Sequence, residues 1–289
     1  MSFSQSKDAS TKDWTLVIKP KTGWFDINLK ELWQYRDLIR LFVKRSYSAM
    51  YKQTILGPLW FIISPLLTVF IFTVVFGNIA KISTDGMPQF LFYMAGNTLW
   101  TYFAYCVNST ATTFTSNAVL FGKVYFPRLT MPLSTVIFGL ISFIIQFVLF
   151  AGIVIYYSAT GTVVRPNVCM LLTPVLVLMV ALLGLGFGII FSSLTTKYRD
   201  LTILVSFGIQ LWMYATPIVY PVSGISEKYK SVLMLNPMSS IIETFRYAFL
   251  GAGSLPLNYL LYSAIITMLV LGIGIVIFSR VEKTFIDTV

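Results

Sequence analysis

Acid–base and metal chemistry both need titratable side chains placed together, and this sequence has few to place. Its 289 residues hold 11 carboxylates, two cysteines and no histidine. Without imidazole it lacks the side chain whose proton exchange falls nearest neutral pH. Cys106 and Cys169 stand far apart in apolar surroundings, so no CxxC and no His-bearing metal spacing can be drawn. Both read as packing residues, and no resident metal is expected. The acids are scattered, and none lies centrally in an apolar stretch. An ion-coupled carrier needs an ionisable group at that depth to hold its proton or sodium ion. Only Glu243 is a candidate, and Arg246 sits one helical turn away to neutralise it. The phosphate-cradling GxxxxGK[ST] loop is also missing, so any ATP-driven work must draw on a separate subunit. A membrane-embedded glycosyltransferase would group carboxylates at the membrane surface, whereas Asp37 and Asp200 stand alone.

The elements that would position these residues are read from hydropathy. Hydrophobic residues make up 56% of the chain and charged ones 11%, against about a quarter charged in soluble domains, and the mean hydropathy is +0.78. A helix needs roughly 20 mostly apolar residues to cross about 30 Å of hydrocarbon. Six charge-free windows allow this, and trimmed of polar ends they give spans near 57–80, 89–112, 132–157, 168–193, 202–220 and 258–279. The fold expected is an all-α integral membrane protein with six transmembrane helices. An N-terminal amphipathic interface helix and a short external re-entrant helix region complete it.

Arg36, Arg40, Lys44, Arg45 and Lys52 precede the first span, and Lys123, Arg128, Lys197, Arg199, Arg280 and Lys283 fall in the even loops and the tail. The positive-inside rule then places both termini in the cytoplasm. The formal charge of +10 follows this topology, with no nucleic-acid module. Residues 1–28 read as a cytoplasmic segment without a signal peptide, holding one β-like run at 14–18. Over 29–52, Leu32, Tyr35, Ile39 and Phe42 share one helical face while Arg36, Arg40 and Lys44 recur at i, i+4 and i+8 on another, as in a helix lying in the membrane interface. Residues 53–289 form the six-span domain, with an external loop at 221–257. Within that loop 239–251 is apolar but too short to cross, and reads as a re-entrant or surface helix between Pro237 and Gly251.

Three stretches resemble one family, the membrane subunit of ABC exporters for polysaccharides of the O-antigen and lipopolysaccharide type. They are RSYSAMYKQTILGPLWFIISP at 45–65, SNAVLFGKVYFPRLTMPL at 116–133, and the segment 197–251 with YRD, TPIVYP and NPMSSIIETFRYAFLG in that order. With the span count, the resemblance covers about residues 29–285. It implies a homodimeric permease in the cytoplasmic (inner) membrane, bound to two copies of an ABC ATPase that carry ATP and magnesium, and exporting a lipid-linked glycan. It also implies that 116–129 docks on the ATPase. Asn117, Leu120, Lys123, Val124, Phe126 and Arg128 supply an amphipathic surface there, stopped by Pro127. The alternative is an ordinary cytoplasmic turn. Tyr198, Arg199 and Asp200 form either a second ATPase contact or a solvated turn.

Sugar rings present apolar faces to aromatic side chains, and Trp and Tyr add a hydrogen-bonding tip. Trp100 and Trp212 fall near mid-depth, with Tyr102, Tyr105 and Tyr214 close by, although such rings usually sit at membrane interfaces. They read either as a glycan channel or as helix packing. Tyr51 and Trp60 would stand at its cytoplasmic mouth. Arg36, Arg40 and Lys44 would hold either the substrate's pyrophosphate linker or ordinary anionic headgroups. Pro217, Tyr220 and Pro221, with Glu243 and Arg246, would make an external gate. An ABC permease for drugs or small lipids is the remaining alternative.

Overall fold

The computed structural model describes residues 29–52, 55–161 and 163–284; the run expected at 14–18 lies outside them. The helices, in chain order, are α1 (Leu29–Gln34), α2 (Arg36–Lys52), α3 (Trp60–Phe72), α4 (Gln89–Ala111), α5 (Thr113–Phe121), α6 (Thr130–Ala159), α7 (Thr173–Lys197), α8 (Leu201–Tyr214), α9 (Glu227–Met234), α10 (Pro237–Leu250) and α11 (Leu257–Thr284). A single 3-10 turn leads into α3, and a π-helical stretch, Thr73–Ile79, prolongs it. Among the described residues there is no strand. Four of the described stretches are long and apolar enough to cross a membrane: Gly57–Ile79, Thr130–Ala159, Val168–Lys197 and Leu257–Val281.

α4 has the length of a crossing but a different composition. Sixteen of its 23 residues are buried, Asn97, Thr98 and Thr110 among them. α3, α6, α7, α8 and α10 all pack on it. A helix walled off from lipid can carry polar side chains that hydrocarbon would not tolerate, and Thr98 returns its hydroxyl proton to the Met94 carbonyl at 2.8 Å.

Glycines in α7 set how closely the walls stand. A Cβ at Gly184 would lie 2.6 Å from the Cys106 Cβ of α4, and one at Gly188 would lie 2.5 Å from the Thr110 Cβ. Gly186, between them, faces α11, where a Cβ would meet the Leu271 nitrogen at 3.0 Å, and Gly274 of α11 abuts the Gly186 carbonyl in turn. Between helices in lipid the hydrophobic effect gives no net attraction, so close contact through small residues supplies the dispersion energy that holds them. α7 is thus clasped on two sides, and the Thr195 hydroxyl adds a hydrogen bond to the Ala111 carbonyl at 2.6 Å.

The expected fifth span, 202–220, is a helix only as far as Tyr214. Pro217 has no N–H to give and disfavours helical geometry at Thr216, so 215–220 runs as turns. The 14 residues of α8 reach only about 21 Å. α10 also differs from a surface helix: 13 of its 14 residues are buried, against α4, α7 and α11. Both its ends are capped. At the start, Asn236 accepts from the Met238 N–H at 3.1 Å and donates to the Thr216 hydroxyl at 2.8 Å. At the finish, Gly251 turns left-handed (φ 72°). The Asn167 and Arg165 N–H groups cover the Ala248 and Leu250 carbonyls, and the Asn167 amide covers Tyr247 at 2.8 Å. A short helix satisfied in this way needs water at neither end.

Gly188→Ala is expected to lower stability by about 1–3 kcal/mol, the usual cost of overpacking. Gly152→Ala in α6, where a Cβ meets open space, should instead be neutral or gain about 0.5–1 kcal/mol from helix propensity. Thermal unfolding of the two variants in one detergent separates the outcomes.

Candidate functional site

Three of the residue sets singled out in sequence gather at one end of the bundle. The link is a column of aromatic rings. Phe42 of α2 lies 5.7 Å from Phe126, which lies 5.6 Å from Phe121 of α5. Phe121 leads to Phe114 at 5.9 Å, and Phe114 stacks on Phe278 of α11 at 4.7 Å. This column seats the 116–129 segment and divides it into two parts. Phe126, Pro127 and Arg128 are buried, with the Arg128 guanidinium 5.7 Å from the Phe121 ring, and they anchor the segment. Leu120 and Asn117 are half-buried, and the Asn117 amide caps the Thr113 carbonyl at 2.9 Å. Lys123 and Val124 are exposed, as are Val119 and Tyr125, two positions that amphipathic patterning over 116–129 does not single out. The helix ends at Phe121, so the outward surface is a helix-loop corner. Tyr198, Arg199 and Asp200 are all exposed in the turn from α7 to α8 at this same end, with the Lys197 ammonium 5.2 Å over the Tyr198 ring.

The basic stripe also lies here. Arg36, Arg40 and Lys44 are exposed along α2, and Arg40 pairs with Asp37 at 3.0 Å. They border a groove of about 1010 Å³ between α2 and the start of α6. The side chain of Tyr51 lies outside the described residues, and Trp60, at the start of α3, is half-exposed.

The mid-depth aromatics do not form one group. Trp100 and Trp212 meet at 6.3 Å and 75°, and Phe103 and Phe187 approach Trp212 edge-on at 5.3 and 5.1 Å. This cluster joins α4, α7 and α8. Tyr102 and Tyr105 point elsewhere, to α6, where a Cβ at Gly139 would touch both rings; the Tyr102 hydroxyl donates to the Val136 carbonyl at 3.3 Å. Tyr214 is half-exposed on α8. Edge-to-face contacts of this kind are what packed rings adopt, so within one chain these side chains serve first as packing.

At the opposite end lie the five residues of the expected gate, and Arg246 joins two of their elements. It is 1% exposed. Its two terminal nitrogens donate to the carbonyls of Pro217 and Ile218, and its guanidinium lies 3.7 Å from the Phe92 ring centroid of α4. Those carbonyls belong to the turn that Pro217 imposes after α8, so the cation closes the break the proline opened. Glu243, 6% exposed, turns towards Gly253 and Ser254. Tyr220 donates to the Tyr214 carbonyl at 3.1 Å, Pro221 is buried, and Ser223 holds Asp85 at 2.6 Å. Arg246 here is a strut between α10, α4 and the end of α8. Among the described residues no group of three or more Cys, Asp or Glu could hold a metal ion.

Residues 37–250, most of this bundle, match the model of the ABC-2 type transporter family. The chain belongs to that family. It is 29% identical to the O-antigen export system permease protein RfbA of Klebsiella pneumoniae over 253 residues, 87% of this chain and 94% of the relative. It is 28% identical to the protein of the same name from Myxococcus xanthus over 263 residues, 90% of this chain and 98% of the relative. Membership of a transporter family and the long apolar helices together make it a multi-pass membrane protein. The ABC-2 match takes in both ends of the bundle, from α2 through the α5 corner to the strut on α10.

Arg246→Gln removes charge-assisted bonds to two buried carbonyls. It is expected to cost about 1.5–3 kcal/mol, the range for hydrogen bonds to charged groups. Glu243→Gln keeps the side chain's shape and leaves both of those carbonyls covered, so it should cost less than half as much. The melting temperatures of the two purified variants decide it.

Proposed function

We propose that this chain is the membrane-spanning permease of an ABC exporter that moves a lipid-linked polysaccharide, an O-antigen or capsule-like glycan, across the cytoplasmic membrane. The observation that carries the reading is likeness along nearly the whole length of O-antigen export permeases, 94–98% of their chains. In this reading α4 and α8 supply the two crossings beyond the four long apolar ones, α8 together with the turns that follow it. Both termini lie in the cytoplasm, and α10 is a re-entrant element of the external half. The chain hydrolyses nothing itself; two ABC ATPase subunits bind ATP and magnesium.

Two copies of the permease form the passage. The exposed apolar residues of α3 (Leu67, Phe70 and Ile71) and of α8 (Ile203, Phe207 and Leu211) supply faces for a second copy. Trp60 and Tyr214, half-exposed on the same helices, are then the rings placed to meet sugar, with Trp212 behind them. Tyr102 and Tyr105, turned to α6, hold the wall. The glutamate–arginine pair and the prolines of the external end brace the exit. The ATPase seats on the α5 corner, where Val119, Val124 and Tyr125 give an apolar knob beside Lys123, and the Tyr198–Asp200 turn makes a second contact.

Copurification tests the assembly. A tagged chain from native membranes should bring down an ABC ATPase in equal copies, and recovery of the permease alone in several detergents would sink the reading. Val124→Asp should reduce both ATPase recovery and surface glycan at least tenfold with the melting temperature unchanged. Phe126→Ala should instead lower the melting temperature, by about 3–5 kcal/mol of stability as for buried aromatic truncations.

A further inference from the structure

Neither the packing of the bundle nor the proposed passage uses the groove between α2 and α6. Its volume, about 1010 Å³, stands at the upper end of small-molecule sites, about 300–1,000 Å³. One wall is Leu32, Trp33, Ile39 and Val43, and the other is Leu133, Ile137 and Ile141 of α6. Arg36, Arg40 and Lys44 stand along its border, three cations, one of them paired with the carboxylate of Asp37. Such an arrangement suits a ligand with a long apolar part and an anionic head.

Two further observations say what kind. The α6 wall continues beyond the groove as an outward apolar stripe, Ile137, Ile144, Val148 and Ile155, all exposed and spaced along one helical face. An acyl chain leaving the groove would therefore lie on α6 in the hydrocarbon, with its head at the cations. Trp33, 72% exposed at the groove, has the amphipathic ring that settles at headgroup level. The groove also opens away from the proposed passage. α6 carries it on its outer side, and the Tyr102–Tyr105 layer and α4 stand between it and the Trp100–Trp212 cluster on α7 and α8.

We infer that this groove is a binding site for one resident anionic phospholipid of the leaflet that α2 lies in, distinct from the lipid-linked glycan that the permease carries. Basic pockets at the cytoplasmic face of membrane helices recognise such headgroups by charge. The lipid fills the space between α2 and α6 and so helps hold α2, whose Phe42 rests on Phe126, in place against the α5 corner.

Native mass spectrometry of the full chain with its partner subunits, released from mild detergent after addition of phosphatidylglycerol or phosphatidylcholine, tests this. One phosphatidylglycerol per chain should be retained, with a preference over phosphatidylcholine of roughly 30-fold for a net charge of two at the border once Asp37 is counted against the three cations. The R36Q/R40Q/K44Q variant should bind the two lipids nearly equally. Ile137→Trp, which fills the groove and leaves every charge, should lose phosphatidylglycerol as well, and it keeps the test open should the triple variant fail to fold. Equal retention of both lipids by the unaltered chain would overturn the inference. So would displacement of phosphatidylglycerol, one for one, by a polyprenyl pyrophosphate, which would assign the groove to the carried lipid. Neither result bears on whether an ABC ATPase copurifies, so the proposed function stands or falls separately.

Discussion

The contact on which the bundle depends is the seam where Gly184 and Gly188 of α7 receive Cys106 and Thr110 of α4. In a soluble protein, water would press helices together whatever their surfaces. In lipid the tails compete on equal terms with leucine, so helices adhere only where they approach more closely than a tail could. The glycine seam gives that approach at the centre, and Gly186 with Gly274 repeats it towards α11. Everything further out is arranged around this three-helix core. α4 can be the most polar of the long helices because it is the most enclosed, and its aromatic residues can pack edge-on to α7 and α8 because the seam fixes their distance.

Polar groups inside the bundle obey the same economy at its other end. α10 is a helix of 14 residues held almost wholly inside, which ordinarily leaves both termini with open amides and carbonyls. Asn236, Asn167 and the Arg165 backbone meet that requirement from neighbouring segments. Arg246 does the same for the turn after α8. A buried cation is costly when unpaired, and here two carbonyls and the face of an aromatic ring surround it. The carbonyls of the turn receive donors from another helix, and the cation receives partners inside the bundle.

Much of this was legible in the sequence, and the misses share a cause. Hydropathy located every long helix to within a few residues, and the i, i+4, i+8 spacing of Arg36, Arg40 and Lys44 marked their exposed face on α2. Hydropathy sums over a window, so it could not show that Pro217 ends α8 early or that α10 lies inside the bundle rather than upon it. Both are tertiary facts, although Pro217 itself was a visible warning. Mid-depth position likewise grouped Trp100 with Tyr102 and Tyr105, whereas two and five positions along a helix amount to about 200° and about 140° of rotation and turn both tyrosines to another neighbour. In the 116–129 segment an amphipathic reading named Phe126 and Arg128 as surface. A basic residue over an aromatic ring can be buried as a unit, and only the packing against Phe121 and Phe42 shows that this one is. Val119 and Tyr125 carry no charge pattern of their own and emerge only once the segment's anchors are known.

The bond from Arg246 to the end of α8 also has a bearing on how the chain enters the membrane. The donors lie 29 and 28 residues downstream of the carbonyls they satisfy, and a ribosome makes the acceptors first. When α8 emerges it is too short to cross by itself, and the carbonyls that follow it have no partner in hydrocarbon. It has every reason to wait at the water interface until α10 has been synthesised. The segment from α8 to α10 is in this sense completed as one unit, since the turn after α8 gains its donors only when α10 has been made.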